Sequence, residues 1–375
     1  MSLSFSPARA HIDLNAIKRN FQRFGAADRI LPVVKSDAYG HGLLQTSQAL
    51  LAVGARRFAV GTVAEGLALR EAGVKLRIVV LLPPISRDEW RAAQAAGLTP
   101  VVCSFKDIVR AKACATKDKP IDVTLALETG MHRLGFTPEQ LPQLISELKS
   151  SPEIVPVFAM SHLATADMPE EETYMQRQVD TFSAMGKTLK DAFPTLRLSL
   201  QNSAASLIMK NAPFELIRPG IALYGGNPFY GTEKADLGRD FEWAMSLSAP
   251  VLQVAELKKN ETCSYGRTFR AAKDMHIAVV AAGYANGLPR RMSNKLSAIV
   301  NGKPARQIGR VCMGLLMLDV TERASVKAGD DAWLMGGHCA QGFAPVTPQV
   351  LADIIGTISY EVLCRIGGLN ERVYD

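Results

Sequence analysis

The chain has 375 residues, 47% of them hydrophobic and 21% charged, with a formal net charge of +7 at pH 7. That length exceeds what one core usually fills, so two domains are expected, and the hydrophobic content is that of a well-buried protein. Basic residues come singly or in pairs such as Arg56-Arg57 and Arg290-Arg291, which argues against a nucleic-acid surface and for solvated faces that draw anionic ligands inward. No apolar stretch is long enough to cross a bilayer, and the start MSLSFSPARAHID lacks the apolar core of a secretory signal, so no membrane association and a cytoplasmic location are expected. Six cysteines without a CxxC pair read as reduced thiols, with no metal site.

From residue 29 to about 220, short β-branched runs alternate with helical patterns: RILPVV, RRFAVG, RIVVLL, LTPVVC, IDVTLAL, VPVFAMS, LRLSLQ and FELIRP. Seven of these eight strand candidates precede a plausible helix, such as VAEGLALREAG with its Gly73 stop. Repeated βα units of this number imply a (β/α)8 barrel. After about residue 240 the texture changes to strand-like pieces with turn signals, NGKP among them, so a mostly β domain follows. The stretch GGNPFYGTEKADLGRD holds the boundary, giving a barrel domain over 1–237 and a β-rich domain over 238–375.

Barrel enzymes carry their chemistry at the C-terminal ends of the strands. Lys35, in VVKSDAYGHG, ends the first strand; Arg133 follows the fifth, His162 the sixth, Asn202 and Ser203 the seventh, and Arg218 the eighth. Taken singly, each has an ordinary structural explanation: a solvated lysine, a loop charge, a satisfied histidine, a helix cap, a rim salt bridge. Together they do not. Ser203 and the Gly220-Ile221 segment lie in the loops where barrels bind phosphate, and a phosphate site beside a strand-end lysine suggests pyridoxal 5′-phosphate held as a Schiff base.

At this point the chain resembles the alanine racemases, along essentially its whole length. VVKSDAYGHG, TGMHRLG, SHLATAD, NSAAS, RPGIALYG, CSYGRTF, GYANGLPR, GRVCM and YEVLCRI match that family's motifs in order. The resemblance implies interconversion of L- and D-alanine for peptidoglycan supply, with Lys35 as Schiff-base lysine and one catalytic base, and Tyr265 as the other. A phenol ordinarily titrates at about 10, so Tyr265 needs neighbours that favour its phenolate, and the family's candidates are His162 and Arg218. It further implies that Arg218 faces the pyridine nitrogen and leaves it unprotonated, and that Tyr39, Ser203, Gly220, Ile221 and Tyr360 hold the phosphate. His162 and Asn202 would complete the cofactor site, and Arg133, Met313 and Tyr284 would bind the amino-acid substrate. Because Tyr265, Tyr284 and Met313 belong to the β domain, a head-to-tail homodimer with shared active sites is implied.

Four positions depart from the family pattern. Ala126 stands where most members carry a carbamylated lysine bracing the arginine of TGMxRLG, so Arg133 must be held otherwise, for example by an anion such as chloride. Glu128, Asn286 and Gly314 each replace an aspartate. These changes around a small pocket keep a serine or broad-specificity racemase as the alternative. Decarboxylation and a barrel-only cofactor carrier fit less well, the first because CSYG and GYANGLPR are racemase-like, the second because it lacks a β domain.

Overall fold

In the computed structural model, which describes residues 7–323 and 325–375, the β-branched runs of the first half are buried along almost their whole length. Arg57–Val60 and Arg77–Val80 each bury their last three residues, and Thr99–Val102 buries all four. Strands covered on both faces belong to a parallel sheet. They pair in sequence order with Ile121–Ala126, Ile154–Met160 and Arg197–Ser199 as six parallel strands.

The first and eighth strand candidates appear as single parallel bridges, Val33 to Ala59, Ile30 to Ile217 and Ser199 to Leu216. These bridges close the ring, so the eight expected strands form a (β/α)8 barrel. Seven helices follow the first seven strands, from Leu43–Ala52 to Ser203–Ile208. Several start on the caps the sequence offers: Thr62, Ser86, Ser104 and Asn202 each accept a main-chain N–H from the first helical turn. After the eighth strand only short 3-10 turns form, Ile221–Tyr224 and Ala235–Gly238, and the Tyr224 hydroxyl donates to the Val33 carbonyl at 2.9 Å, locking the first strand.

The second unit is mostly β. Its long strand Met245–Leu257 pairs along one edge with Asp331–Met335 and along the other with Met275–Val280, and the intervening strands Ser297–Val300, Lys303–Ile308 and Leu316–Asp319 complete an antiparallel ring. Asn301 and Gly302, both at positive φ, make the expected hairpin turn of NGKP. Three elements join this unit without a signal in the sequence reading. The N-terminal strand Arg9–Ile12 pairs with 245–248 and with 371–374, and two helices, Pro348–Ile355 and Ser359–Leu369, follow the last strand of the ring. Among the described residues the chain thus divides into 17–38 with 43–242, and 7–16 with 39–42 and those from 243 onwards. Among the described residues no helix is long and apolar enough to cross a membrane.

Candidate active site

Lys35 opens a turn that the sequence does not announce. Ser36, Asp37, Ala38 and Tyr39 hold φ of 54°, 53°, 55° and 55°, one turn of left-handed helix made of residues with side chains. Crowding of Cβ against the next carbonyl makes this conformation less favourable by about 1–2 kcal/mol per residue. Such backbone persists where its surroundings over-determine it, commonly at functional sites. Here the Ala38 N–H donates to the Val34 carbonyl at 2.9 Å, Asp37 Oδ1 accepts the Leu43 N–H at 2.6 Å, and Glu65 Oε1 accepts the Asp37 N–H at 3.1 Å. Gly40 continues at φ 85°, and a Cβ there would lie 2.6 Å from the Leu363 carbonyl oxygen, so only glycine fits.

Four basic groups gather at the strand ends. Burial pushes the His162 imidazole down to about 3, and the positive charges of Arg218, Arg133 and Lys35 add to the shift. His162 is therefore neutral at ordinary pH. Arg218 is only 6% exposed. Burial, with Arg133 nearby, lowers it to about 10, so it keeps its proton at neutral pH. Its guanidinium is pinned across two strand ends, donating to the Ser199 carbonyl and hydroxyl, each at 2.7 Å, and to the Ser161 and Leu200 carbonyls. A rigid set of cations of this kind attracts an anion.

The loop carrying Arg133 is held from within. The Glu128 carboxylate accepts main-chain N–H groups from Gly130, His132 and Arg133; burial works to raise its pKa, but these bonds win and the net shift is downward. Two residues passed over in the sequence reading tie this loop to the next strand end. The Tyr174 hydroxyl donates to the Gly130 carbonyl at 2.6 Å. Gln178, 1% exposed, donates to the His162 carbonyl at 3.1 Å and to Thr129 Oγ1 at 3.4 Å, and accepts the Ala164 N–H at 2.8 Å. Their four-residue spacing on helix Glu172–Ala192 was a readable signal, since a glutamine on a buried helix face needs partners.

Ser203 Oγ accepts N–H groups from Gly220 at 2.9 Å and Ala222 at 3.3 Å, which brings the loops after the seventh and eighth strands together and leaves the hydroxyl proton to donate. Asn202 Oδ1 caps the helix at Ser203–Ile208 through the Ala205 N–H. In the other unit, Tyr39 and Tyr360 lie with ring centroids 6.0 Å apart, and burial raises the Tyr39 phenol well above its ordinary range.

The second unit assembles a different cluster. Ser264 donates to the Arg310 carbonyl at 2.7 Å, while the Tyr284 and Ala285 N–H groups donate to the Cys312 and Met313 carbonyls at 3.0 and 2.9 Å. These bonds join the loops of Tyr265, Tyr284 and Met313, whose side chains are 67%, 39% and 63% exposed. Asn286, in place of an aspartate, accepts the Gly283 N–H and donates to Asn370. A Cβ at Gly314 would meet nothing within 4 Å, so the missing side chain there is not a steric requirement.

Comparison with known proteins agrees with this arrangement. Residues 12–228 match the alanine racemase N-terminal domain and residues 244–374 the alanine racemase C-terminal domain. The chain belongs to the alanine racemase family. Membership makes it an isomerase of the racemase class. It is 43% identical over 376 residues to an alanine racemase of Nitratidesulfovibrio vulgaris, covering 100% of this chain and 99% of that one. Among solved structures, the biosynthetic alanine racemase of Pseudomonas aeruginosa superposes with a TM-score of 0.86 at 31% identity, covering 99% of this chain and 100% of that one. The alanine racemase of Bartonella henselae, solved with covalently bound pyridoxal phosphate, gives 0.85 at 26% identity over 98% and 99%.

Proposed function

We propose that the chain interconverts L- and D-alanine, supplying D-alanine for peptidoglycan, with pyridoxal 5′-phosphate bound at the barrel's strand ends. The observation that carries this reading is the set of four basic groups, one of them the primary amine of Lys35, at the mouth of an alanine racemase barrel. The donor set suits the cofactor: an amine for its aldehyde, and the Ser203 hydroxyl with the main chain of Gly220 and Ile221 for its phosphate. Arg218, pinned and charged, would face the ring nitrogen of the bound cofactor and give it no proton. Neutral His162 and Asn202 would complete the same site.

When bound, the cofactor supplies an electron sink that acidifies the substrate's α-proton. Arg133 binds the substrate carboxylate region. The Lys35 amine takes or returns the α-proton on one face, and a tyrosine phenol does so on the other. That phenol is Tyr265 of a second copy, so the working unit is a homodimer with two shared sites, and the exposure of Tyr265, Tyr284 and Met313 supports this. Tyr284 and Met313 narrow the substrate pocket.

The test is a visible absorbance spectrum of the purified protein, followed by L-alanine and L-serine racemisation on the same sample, repeated with Lys35→Ala. The expected result is a cofactor absorbance lost in Lys35→Ala and faster turnover of alanine. Faster turnover of serine would replace the substrate, and an unchanged absorbance in Lys35→Ala would remove Lys35 from its role.

A further inference from the structure

We propose that Glu65 is a positioning residue for Lys35, its single carboxylate fixing both the left-handed turn and the neighbouring strand end on which the lysine rests. The inference builds on the reading of Lys35 as the reactive amine.

Glu65 lies in the first turn of helix Val63–Glu71 and makes the capping box that its position allows: Thr62 Oγ1 accepts the Glu65 N–H at 3.2 Å, and Glu65 Oε2 accepts the Thr62 N–H at 3.1 Å. Two more bonds go beyond capping. Oε2 also accepts the Gly61 N–H at 2.7 Å, and Oε1 reaches across to the Asp37 N–H at 3.1 Å. One carboxylate therefore holds three main-chain donors from two strand ends. A Cβ placed on Gly61 would lie 3.0 Å from Glu65 Oε2 and 3.3 Å from Lys35 Cβ, so the carboxylate, the glycine and the lysine stem pack against one another.

The Asp37 donor is the informative one. It sits in the middle of the turn of four consecutive positive-φ residues. Asp37 passes the restraint on, because its own carboxylate accepts the Leu43 N–H where the next helix begins. A turn of this conformation is unfavourable by itself, so the bonds that fix it also fix where the Lys35 side chain departs.

The chemistry of the side chain separates positioning from capping. A capping box accepts glutamine as readily as glutamate. Three N–H donors shared by two oxygens need a group that only accepts, and the amide of Glu65→Gln would set an N–H₂ against one of them. A capping role alone predicts that glutamine rescues; a positioning role predicts that it does not.

The experiment uses the full chain, incubated with pyridoxal 5′-phosphate, reduced with borohydride and digested, with the fraction modified at Lys35 followed over time by mass spectrometry. Thermal unfolding and amide exchange over residues 36–43 are measured on the same samples. Misplacement of a reacting group by a fraction of an ångström predicts modification of Lys35 slowed on the order of 10- to 100-fold in Glu65→Gln, with faster exchange in 36–43 and little change in Tm. Modification at the wild-type rate in Glu65→Gln, with only Glu65→Ala lowering Tm, would overturn the proposal and leave Glu65 a helix cap. Should Glu65→Gln fail to fold, Glu65→Asp replaces it, keeping the charge while losing the reach to Asp37, and the same two outcomes decide. Wild-type protein modified at a lysine other than Lys35 would remove the reading of Lys35 and the proposal with it, whereas Lys35 modified equally in wild type and variant removes the proposal alone.

Discussion

The two clusters of functional side chains are built in opposite ways. At the barrel's strand ends, Arg218 is buried and spans four acceptors, His162 is driven neutral by burial and by three cations, and Glu128 and Gln178 tie down the loop of Arg133. In the second unit, hydrogen bonds fix the loops, but Tyr265 and Met313 project with about two thirds of their surface open. The first cluster is organised by its own fold before any ligand arrives. The second has positioned its backbone and left its side chains exposed, which suits the shared site of the proposed homodimer.

If that contrast holds, substitutions in the first cluster should harm stability and activity together, and those in the second should harm activity alone. The largest effect is expected for Arg218→Ala, which leaves buried carbonyls without their donor: stability should fall by about 2–4 kcal/mol in urea unfolding, and racemisation should fall with it. An Arg218→Ala protein of wild-type stability would break the comparison. Next, Met313→Glu should reduce racemisation while changing Tm little, and should shift the proposed dimer towards monomer in sedimentation at low protein concentration; an unaffected association state would remove this surface from the proposed interface.

A smaller effect is expected for Glu128→Ala. Without its carboxylate the loop N–H groups of Gly130, His132 and Arg133 lose their common acceptor, and KM for alanine should rise by about tenfold with kcat less affected. An unchanged KM would mean that Arg133 is held by something else, such as an anion in the space left by Ala126. The last, smallest at neutral pH and growing only in acid, is a pH effect. Because burial holds folded His162 at about 3, well below the ordinary value of 6.5, the unfolded chain binds the extra proton first. Its contribution is unchanged above pH 6.5, and stability is lost as pH falls from there towards 3. His162→Gln should flatten that acid limb of a stability–pH curve, and an equally steep limb in the variant would show that His162 is not buried neutral.

The fold was largely legible because βα alternation is a local pattern: a β-branched run, a Ser, Thr or Asn cap and a helix recur in order, and even NGKP marked its hairpin. Pairings that join distant segments were not legible. Nothing in RAHI tells that Arg9–Ile12 adds to a strand more than two hundred residues later, since a strand's partner is chosen by the assembled sheet edge. The helix Ser359–Leu369 was read as the motif around Tyr360 without its secondary structure.

The site divides similarly. Lys35, Arg133, His162 and Arg218 announced themselves as reactive types at strand ends, and the structure brings them together. The turn at 36–39 did not, because serine, alanine and tyrosine carry no preference for positive φ and a single aspartate does not reveal a left-handed turn of four residues. Glu65 was hidden because its further bonds go to main-chain groups, whose positions no residue pattern records, while Tyr174 and Gln178 left only their four-residue helical spacing as a signal.

The most direct test of the account is Tyr265→Phe, assayed for racemisation and for exchange of the α-proton of each alanine enantiomer in D₂O. A base on each face predicts racemisation lowered on the order of 10²- to 10⁴-fold, exchange retained for one enantiomer without inversion, and unfolding unchanged because the side chain is exposed. Racemisation at the wild-type rate, or exchange lost equally from both enantiomers, would contradict the assignment of Tyr265 as the second base.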